Sequence, residues 1–152
     1  NIKGGLTTIE EKSLGAIVKS GTKAIEGVLE YTEVPSGPGL WIKDTPGREI
    51  EVLTAMSIAG AQAMLFSTGR GAPQGFPIAP VLKICGNPIT YENMLGDMDV
   101  NAGLIITGEK SIEELGEETL AHLLRVMSGE VTKSEAIRYT TSMDIHTLGP
   151  VI

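Results

Sequence analysis

The sequence predicts an α/β fold: a small, mainly parallel sheet in a Rossmann-like three-layer arrangement, with flanking helices and a helical C-terminal tail. Short apolar runs alternate with helix-like patterns along the middle of the chain, which is typical of parallel sheets. Hydrophobic residues make up 41% of the sequence but aromatic residues only 4%, so the core must be built from aliphatic side chains. Such cores are common in sheets covered on both faces. The length fits a single domain, residues 1–152.

The first third of the chain predicts one clear helix and one weaker element. Residues 8–20 form the helix, because Thr8 and Glu11 match a capping box and apolar residues then recur at helical spacing. Residues 24–31 carry a weaker pattern that fits either a strand or a short helix. The run PSGPG at 35–39 then breaks the chain.

The middle of the chain predicts a β-α-β unit followed by a further strand. The strands cover residues 39–44, 63–67 and 79–85, and the helix between the first two strands covers residues 49–64. We therefore expect the first two strands to form a parallel pair joined by a right-handed crossover.

The tail is predicted to be mostly helical. Ser111 and Glu114 form a second capping box at the start of a helix. A short helix at 133–139 follows, and the last dozen residues look irregular. The apolar stripe of the first tail helix should face the core, and it comprises Ile112, Leu115, Thr119, Leu120, Leu123, Val126 and Met127.

Charge and cysteine content exclude several classes of function. The net charge of −7 and the scattered basic residues argue against nucleic acid and anionic membrane surfaces as partners. A small anionic substrate is compatible, because a local cationic pocket can exist on an acidic protein. Cys85 is the single cysteine, His122 and His146 are isolated, and no metal site is predicted within the chain. We expect a cytoplasmic protein and, since the chain lacks an initiator methionine, a fragment of a longer one.

Three loops are candidates for a ligand site, because ligands of open α/β sheets bind outside the carboxyl ends of the strands. Residues 44–47, 67–71 and 86–87 each follow a predicted strand and should emerge at that edge. The run STGRG at 67–71 is the most suggestive of the three.

The loop at 67–71 combines groups that suit an anionic, hydroxylated ligand. Ser67 and Thr68 supply hydroxyls, while Gly69 and Gly71 let backbone N–H groups approach a ligand. Arg70 offers a planar guanidinium that matches a carboxylate or a phosphate. A sharp turn with an exposed arginine is an equally good interpretation, because STGRG is neither a Walker loop nor a dinucleotide fingerprint.

The entrance to the first helix is a second candidate, because a helix N-terminus carries unpaired N–H groups and a partial positive charge. Ordinary capping by Thr8 and Glu11, with Glu10 and Lys12 in solvent, is the better interpretation on residue types alone. The candidate ligand-binding residues of this entrance are Gly4, Gly5, Thr7 and Thr8.

Several motifs occur in an order that identifies a family. GGLTTIEEKSLG spans residues 4–15, LFSTGRGAPQG spans residues 65–75, and K-I-x-x-N follows at 83–87. With these motifs, the chain resembles the C-terminal region of the D-galactarate dehydratase and altronate dehydratase family. It departs from the family pattern at Ala72, where the sugar-acid dehydratases usually carry threonine, and the tail after Lys110 fits less closely.

The resemblance implies a longer cytoplasmic enzyme in which this domain follows N-terminal domains. That enzyme would be a hydro-lyase that eliminates water from an aldonate or aldarate, such as altronate or galactarate, to give a 2-keto-3-deoxy acid. It would use a divalent metal, usually iron, bound mainly by residues outside this chain. The isolated fragment should therefore be inactive, and a homo-oligomer is compatible with this scheme.

The resemblance also implies roles for the two candidate loops. The helix entrance and the loop at 67–71 would converge at one rim of the sheet to hold the sugar acid, and Lys12 or Glu10 would transfer a proton. Two alternatives stay open. The first is a domain of a sulfolactate sulfo-lyase large subunit, which releases sulfite and belongs to the same broader family. The second is a non-catalytic scaffold domain of such an enzyme.

Overall fold

The computed structural model describes residues 7–146, apart from the side chains of Ile9 and Lys12. No helix in this range is both long enough and apolar enough to cross a membrane. In chain order the elements are α1 (Ile9–Val18), β1 (Ile25–Leu29), β2 (Leu40–Lys43), α2 (Glu49–Ile58), β3 (Met64–Thr68), β4 (Val81–Cys85), α3 (Pro88–Asn93), β5 (Val100–Asn101), α4 (Gly103–Thr107), α5 (Ile112–Met127) and α6 (Lys133–Ala136).

The strands form two small parallel sheets. β1 pairs with β2, and a separate sheet has the order β3-β4-β5 with β4 in the middle. The α/β class is therefore confirmed, but the pairing predicted across α2 is wrong, because β2 and β3 lie in different sheets. Local patterns define strands but not their partners, since pairing uses backbone groups that nearly every residue carries.

The three-stranded sheet lies between two helical layers. Side chains alternate between the faces of a strand, so Val81 and Leu82 on β4 point to opposite sides. Val81 joins Leu53 of α2 in one buried cluster, together with Met64, Phe76 and Ala79. Leu82 joins Leu115 and Val126 of α5 in a second cluster, together with Val100.

Two predicted helices end earlier than expected, each at a left-handed residue. α2 ends at Ile58 instead of residue 64, because Gly60 has φ of 90° and so leaves the helical conformation. α6 ends at Ala136 instead of residue 139, and Arg138 lies just beyond it with φ of 59°. The short elements α3, β5 and α4 were not among the predicted elements.

The main tail helix has the predicted start but not the predicted environment. Ser111 Oγ accepts the Glu114 N–H at 3.1 Å, and the Glu114 carboxylate accepts the Ser111 N–H at 2.8 Å, which confirms the capping box and lowers the pKa of Glu114. Leu115 and Val126 are buried, whereas Ile112, Leu120 and Met127 of the predicted stripe are more than half exposed.

This exposure follows from the size of the sheet. A helix of 16 residues is about 24 Å long, whereas strands of five residues extend only about 17 Å. The uncovered part of the stripe forms an apolar surface that we call the α5 groove, lined by Leu65, Ile105, Ile112, Leu115, Gly116, Thr119, Leu120 and Leu123.

The position of β4 at the centre of the fold predicts a stability difference between two leucines. Leu82 on β4 is 0% exposed, whereas Leu124 on α5 is 55% exposed. We expect Leu82→Ala to lower the free energy of unfolding by about 3 kcal/mol and Leu124→Ala by less than about 1 kcal/mol. Urea denaturation measures both values, and equal losses would contradict the central position of β4.

Candidate active site

A cleft of about 890 Å³ opens where β3 and β4 end, which is the edge at which ligands bind in open α/β sheets. The loop after β3 forms one wall, and the residues after β4 form another. The lining residues are Lys19, Glu49, Phe66, Ser67, Thr68, Gly69, Arg70, Gly71, Ala72, Ile84, Gly86, Asn87 and Ala102.

Hydrogen bonds fix the shape of the loop after β3. Thr68 Oγ1 accepts the N–H of Gly71 at 3.1 Å, and Thr90 Oγ1 of α3 donates to the carbonyl of Gly69 at 3.0 Å. Gly71 has φ of 86°, a left-handed conformation in which a side chain is strained. The loop therefore has a defined conformation that depends on this glycine.

The wall after β4 uses its polar groups for structure. The N–H of Gly86 donates to the carbonyl of Thr68 at 2.9 Å, which ties the two walls together. Asn87 Oδ1 accepts the N–H groups of Ile89 and Thr90 at 3.0 and 3.3 Å and so caps α3. The side-chain oxygen of Asn87 is thus already engaged in the cap.

The charges on the cleft are mostly positive. Arg70 is exposed and makes no ion pair with any residue in the described range, and Lys19 lies on the same cleft. Glu49, the first residue of α2, is the carboxylate among the lining residues. The cleft therefore provides the local cationic surface that an anionic ligand requires on an acidic protein.

Lys83 contacts Phe66 of this cleft, and the sequence analysis did not assign it to the site. Its side chain on β4 is 0% exposed, and its Nζ lies 4.1 Å from the ring centroid of Phe66, which lines the cleft. Burial lowers the pKa of Lys83 to about 8, although Glu49 and Asp99 oppose this shift. The available signal was a lysine in the middle of the otherwise apolar strand APVLKIC.

The predicted helix entrance does not contribute its described residues to the cleft. The hydroxyl of Thr7 donates to the Glu11 carboxylate at 2.7 Å and, with the Thr7 N–H, lowers the pKa of Glu11. Thr8 Oγ1 accepts the N–H of Glu11 at 3.4 Å, and Glu10 is exposed on α1. Gly4, Gly5 and the Lys12 side chain lie outside the described residues.

The other end of α1 meets the cleft instead. Lys19, the C-cap of α1, is a lining residue, and the ten residues of α1 place Thr8 about 15 Å from it along the helix. Within the described range, the structure thus brings Ser67 to Gly71 together with Lys19 and not with Thr7 or Thr8.

The third predicted loop, residues 44–47, follows β2 and belongs to the other sheet. Its Asp44 N–H donates to the carbonyl of Leu29 at 2.8 Å, and none of its residues lines the cleft. The prediction for this loop assumes that β2 and β3 pair in one sheet. That assumption is wrong, because the two strands lie in separate sheets.

No group of three or more His, Cys, Asp or Glu side chains in residues 7–146 is arranged to hold a metal ion. His122 Nε2 lies 3.3 Å from a Glu130 carboxylate oxygen, and the ring of His146 packs 5.0 Å from that of Tyr31. Cys85 is buried. The described residues therefore do not fit a complete metal site.

Comparison with known proteins connects this cleft to a family. Residues 1–150 match the family described as D-galactarate/altronate dehydratase, C-terminal. The chain belongs to this family. The motif residues at 67–71 that carried the resemblance are the wall of the cleft.

Three relatives show how the family varies. The chain is 43% identical over 138 residues to the (2R)-sulfolactate sulfo-lyase subunit beta of Chromohalobacter salexigens. This match covers 90% of the chain and 36% of the relative. It is 39% identical over 130 residues to the galactarate dehydratase (L-threo-forming) of Escherichia coli, a match that covers 86% of this chain and 25% of the relative. It is 36% identical over 135 residues to the altronate dehydratase of Bacillus subtilis, a match that covers 89% of this chain and 27% of the relative. The chain thus spans between a quarter and about a third of the length of these relatives.

The two glycines of the cleft loop provide a matched pair of variants. A Cβ on Gly71 would lie 2.1 Å from Met94 Sδ, and the residue would have to keep a left-handed backbone conformation. A Cβ on Gly69 would have no neighbour within 4 Å. We expect Gly71→Ala to lower the free energy of unfolding by about 2 kcal/mol, and Gly69→Ala to change it by less than about 0.5 kcal/mol. Urea denaturation of both variants measures the difference, and a neutral Gly71→Ala would show that the loop does not need this conformation.

Proposed function

We propose that the full-length protein is a hydro-lyase that eliminates water from an aldonate or aldarate, such as altronate or galactarate, to give a 2-keto-3-deoxy acid. The observation that carries this proposal is the cleft at the carboxyl edge of β3 and β4, whose wall is the family motif at 67–71. Relatives named as galactarate and altronate dehydratases support the choice of substrate class.

The chemistry of the cleft suits this elimination. Removal of a proton next to a carboxylate builds negative charge on that carboxylate, and cationic donors must stabilise it. We assign this role to Arg70, whose guanidinium can bind a carboxylate through two parallel N–H donors, with Lys19 adding positive charge. Ser67 and Thr68 would bind sugar hydroxyls, and the accepting role of Thr68 Oγ1 leaves its own O–H as a donor.

Three residues are candidates for the proton transfer. Lys12 and Glu10 stay predictions, since Glu10 is exposed outside the cleft lining and the Lys12 side chain lies outside the described residues. Glu49 is the carboxylate that the cleft itself offers for this role.

The rest of the enzyme enters this proposal in three ways. We propose that N-terminal domains of the same polypeptide complete the active site, and the exposed apolar α5 groove supports such a packing partner. A divalent metal, with iron as the expected ion, would be bound mainly by residues outside this chain. A cytoplasmic location and a homo-oligomer remain parts of the proposal.

A second candidate function is elimination of sulfite from sulfolactate, which the 43% identity to a sulfo-lyase subunit beta favours. The two reactions share their chemistry, because each removes a proton next to a carboxylate and expels a group from the neighbouring carbon. Ala72 is the position to examine, since it lines the cleft, is 6% exposed and replaces the threonine expected in sugar-acid dehydratases.

The role of Arg70 can be tested in the full-length enzyme. We expect Arg70→Ala to lower kcat/KM for the sugar acid by about a hundredfold, because it removes a donor to the developing charge. Arg125→Ala is the control, because Arg125 on α5 pairs with the exposed Glu130 that follows the helix, and its loss should leave turnover within about twofold. Unchanged turnover in Arg70→Ala, after correction for stability, would favour a scaffold domain.

A substrate comparison separates the two candidate reactions. The full-length enzyme should form a 2-keto-3-deoxy acid from galactarate or altronate, measured colorimetrically, and should release no sulfite from (2R)-sulfolactate. Sulfite release without sugar-acid turnover would assign the second function instead.

Ala72 provides a specificity test within the same assay. We expect Ala72→Thr to raise kcat/KM for the sugar acid by about two- to tenfold, through one added hydrogen bond to a substrate hydroxyl. Ala72→Val is the matched control, because it adds the same volume without the hydroxyl. An equal effect of both variants would show that shape and not hydrogen bonding acts at this position.

A further inference from the structure

Lys83 is a buried amine without a hydrogen-bond partner. Its side chain is 0% exposed on the middle strand of the sheet, and its Nζ makes no hydrogen bond to any described residue. An ammonium group removed from water without an acceptor is unfavourable, and proteins rarely retain one in a strand without a compensating role. A methionine would fill this volume without a charge.

The surroundings of Lys83 place its charge next to a residue that lines the cleft. Its Nζ contacts the face of the Phe66 ring at 4.1 Å, and Phe66 pairs with Lys83 across the two strands. Phe66 and Glu49 both line the cleft, so two neighbours of the amine are parts of its floor and wall. The ammonium therefore contacts the ring of a cleft-lining residue without lining the cleft itself.

The charges around Lys83 come from several elements. Glu49 on α2 and Asp99 before β5 favour the ammonium form. Asp99 is already engaged, since its two carboxylate oxygens accept the backbone N–H groups of Lys83 and Lys133. Glu51 is buried on α2, and Lys19 and Arg70 lie on the cleft. The ammonium thus lacks a dedicated, closely bonded counter-ion on its own side of the ring.

We propose that Lys83 is a positioning residue that supplies a positive charge behind the Phe66 ring and thereby holds the carboxylate of the anionic substrate in the cleft. This inference rests on the proposed function for the identity of the substrate. Lys83 acts across the ring and does not touch the reacting atoms, so its effect falls on substrate binding more than on the chemical step. The low dielectric of its site makes the charge effective at this distance.

The protonation of Lys83 gives this proposal a characteristic pH dependence. An anion in the cleft favours the ammonium form, so the pKa of Lys83 in the complex rises above its value of about 8 in the free enzyme. Affinity is therefore full below about pH 8 and falls as the pH rises through that value. A purely structural lysine would give no such dependence of KM.

The experiment compares three forms of the full-length enzyme: wild type, Lys83→Met and Lys83→Arg. With galactarate or altronate, we expect Lys83→Met to raise KM at pH 7 about tenfold with kcat within about twofold, and to abolish the rise of KM above pH 8. Lys83→Arg should keep a KM near that of the wild type and also lose the pH dependence, because guanidinium does not titrate in this range. Lys110→Met, which removes a half-buried lysine paired with Glu118 away from the cleft, is the matched control and should change neither quantity.

Stability and anion binding complete the test. Lys83→Met should unfold at the same or a higher temperature than the wild type, because it removes a buried charge. A wild-type KM that stays constant to about pH 9.5, or a Lys83→Met enzyme with unchanged KM, would overturn the role of Lys83 while the proposed function stands.

If the wild type turns over neither sugar acids nor sulfolactate, the proposed function fails. Binding of inorganic sulfate, measured by calorimetry, then decides about Lys83: a several-fold weaker affinity in Lys83→Met supports the buried cation, and equal affinity refutes it.

Discussion

The middle strand of the three-stranded sheet is the element on which the rest of the structure depends. β4 pairs with β3 along its whole length and with β5 at its end, and helical layers cover both of its faces. The Asp99 carboxylate adds a constraint, because it accepts the N–H of Lys83 at 2.7 Å and that of Lys133 at 2.9 Å. One side chain thereby ties the middle strand to the start of α6.

The cleft combines cations in two different environments. Arg70 is exposed, where solvent and salt screen its charge but its guanidinium can contact a ligand directly. Lys83 is buried. Its charge can act on a ligand in the cleft without contacting it, because a charge in a low dielectric acts over a longer distance. Burial of an unpaired charge opposes stability, and proteins break such local rules most often at functional sites.

Local patterns predicted the parts of this fold that depend on neighbours in sequence. The side-chain cap of α1 at Thr8, the capping box at Ser111, the strands β3 and β4 and the long helix α5 all follow from spacings within a few residues. The pairing of β2 with β1 and the exposure of Leu120 did not follow from such spacings. Each depends on the size and placement of a sheet, and strand pairing uses backbone groups that carry little sequence information.

For the candidate site, the sequence by itself determined the family and the loop at 67–71, because long motifs and a strand followed by glycines are local features. Only the tertiary structure decided that Lys19, from the far end of α1, meets this loop while Thr7 and Thr8 do not line the cleft. It alone also placed the Lys83 amine beneath the Phe66 ring. These distances are set by how strands pair and helices pack, and a linear spacing constrains neither.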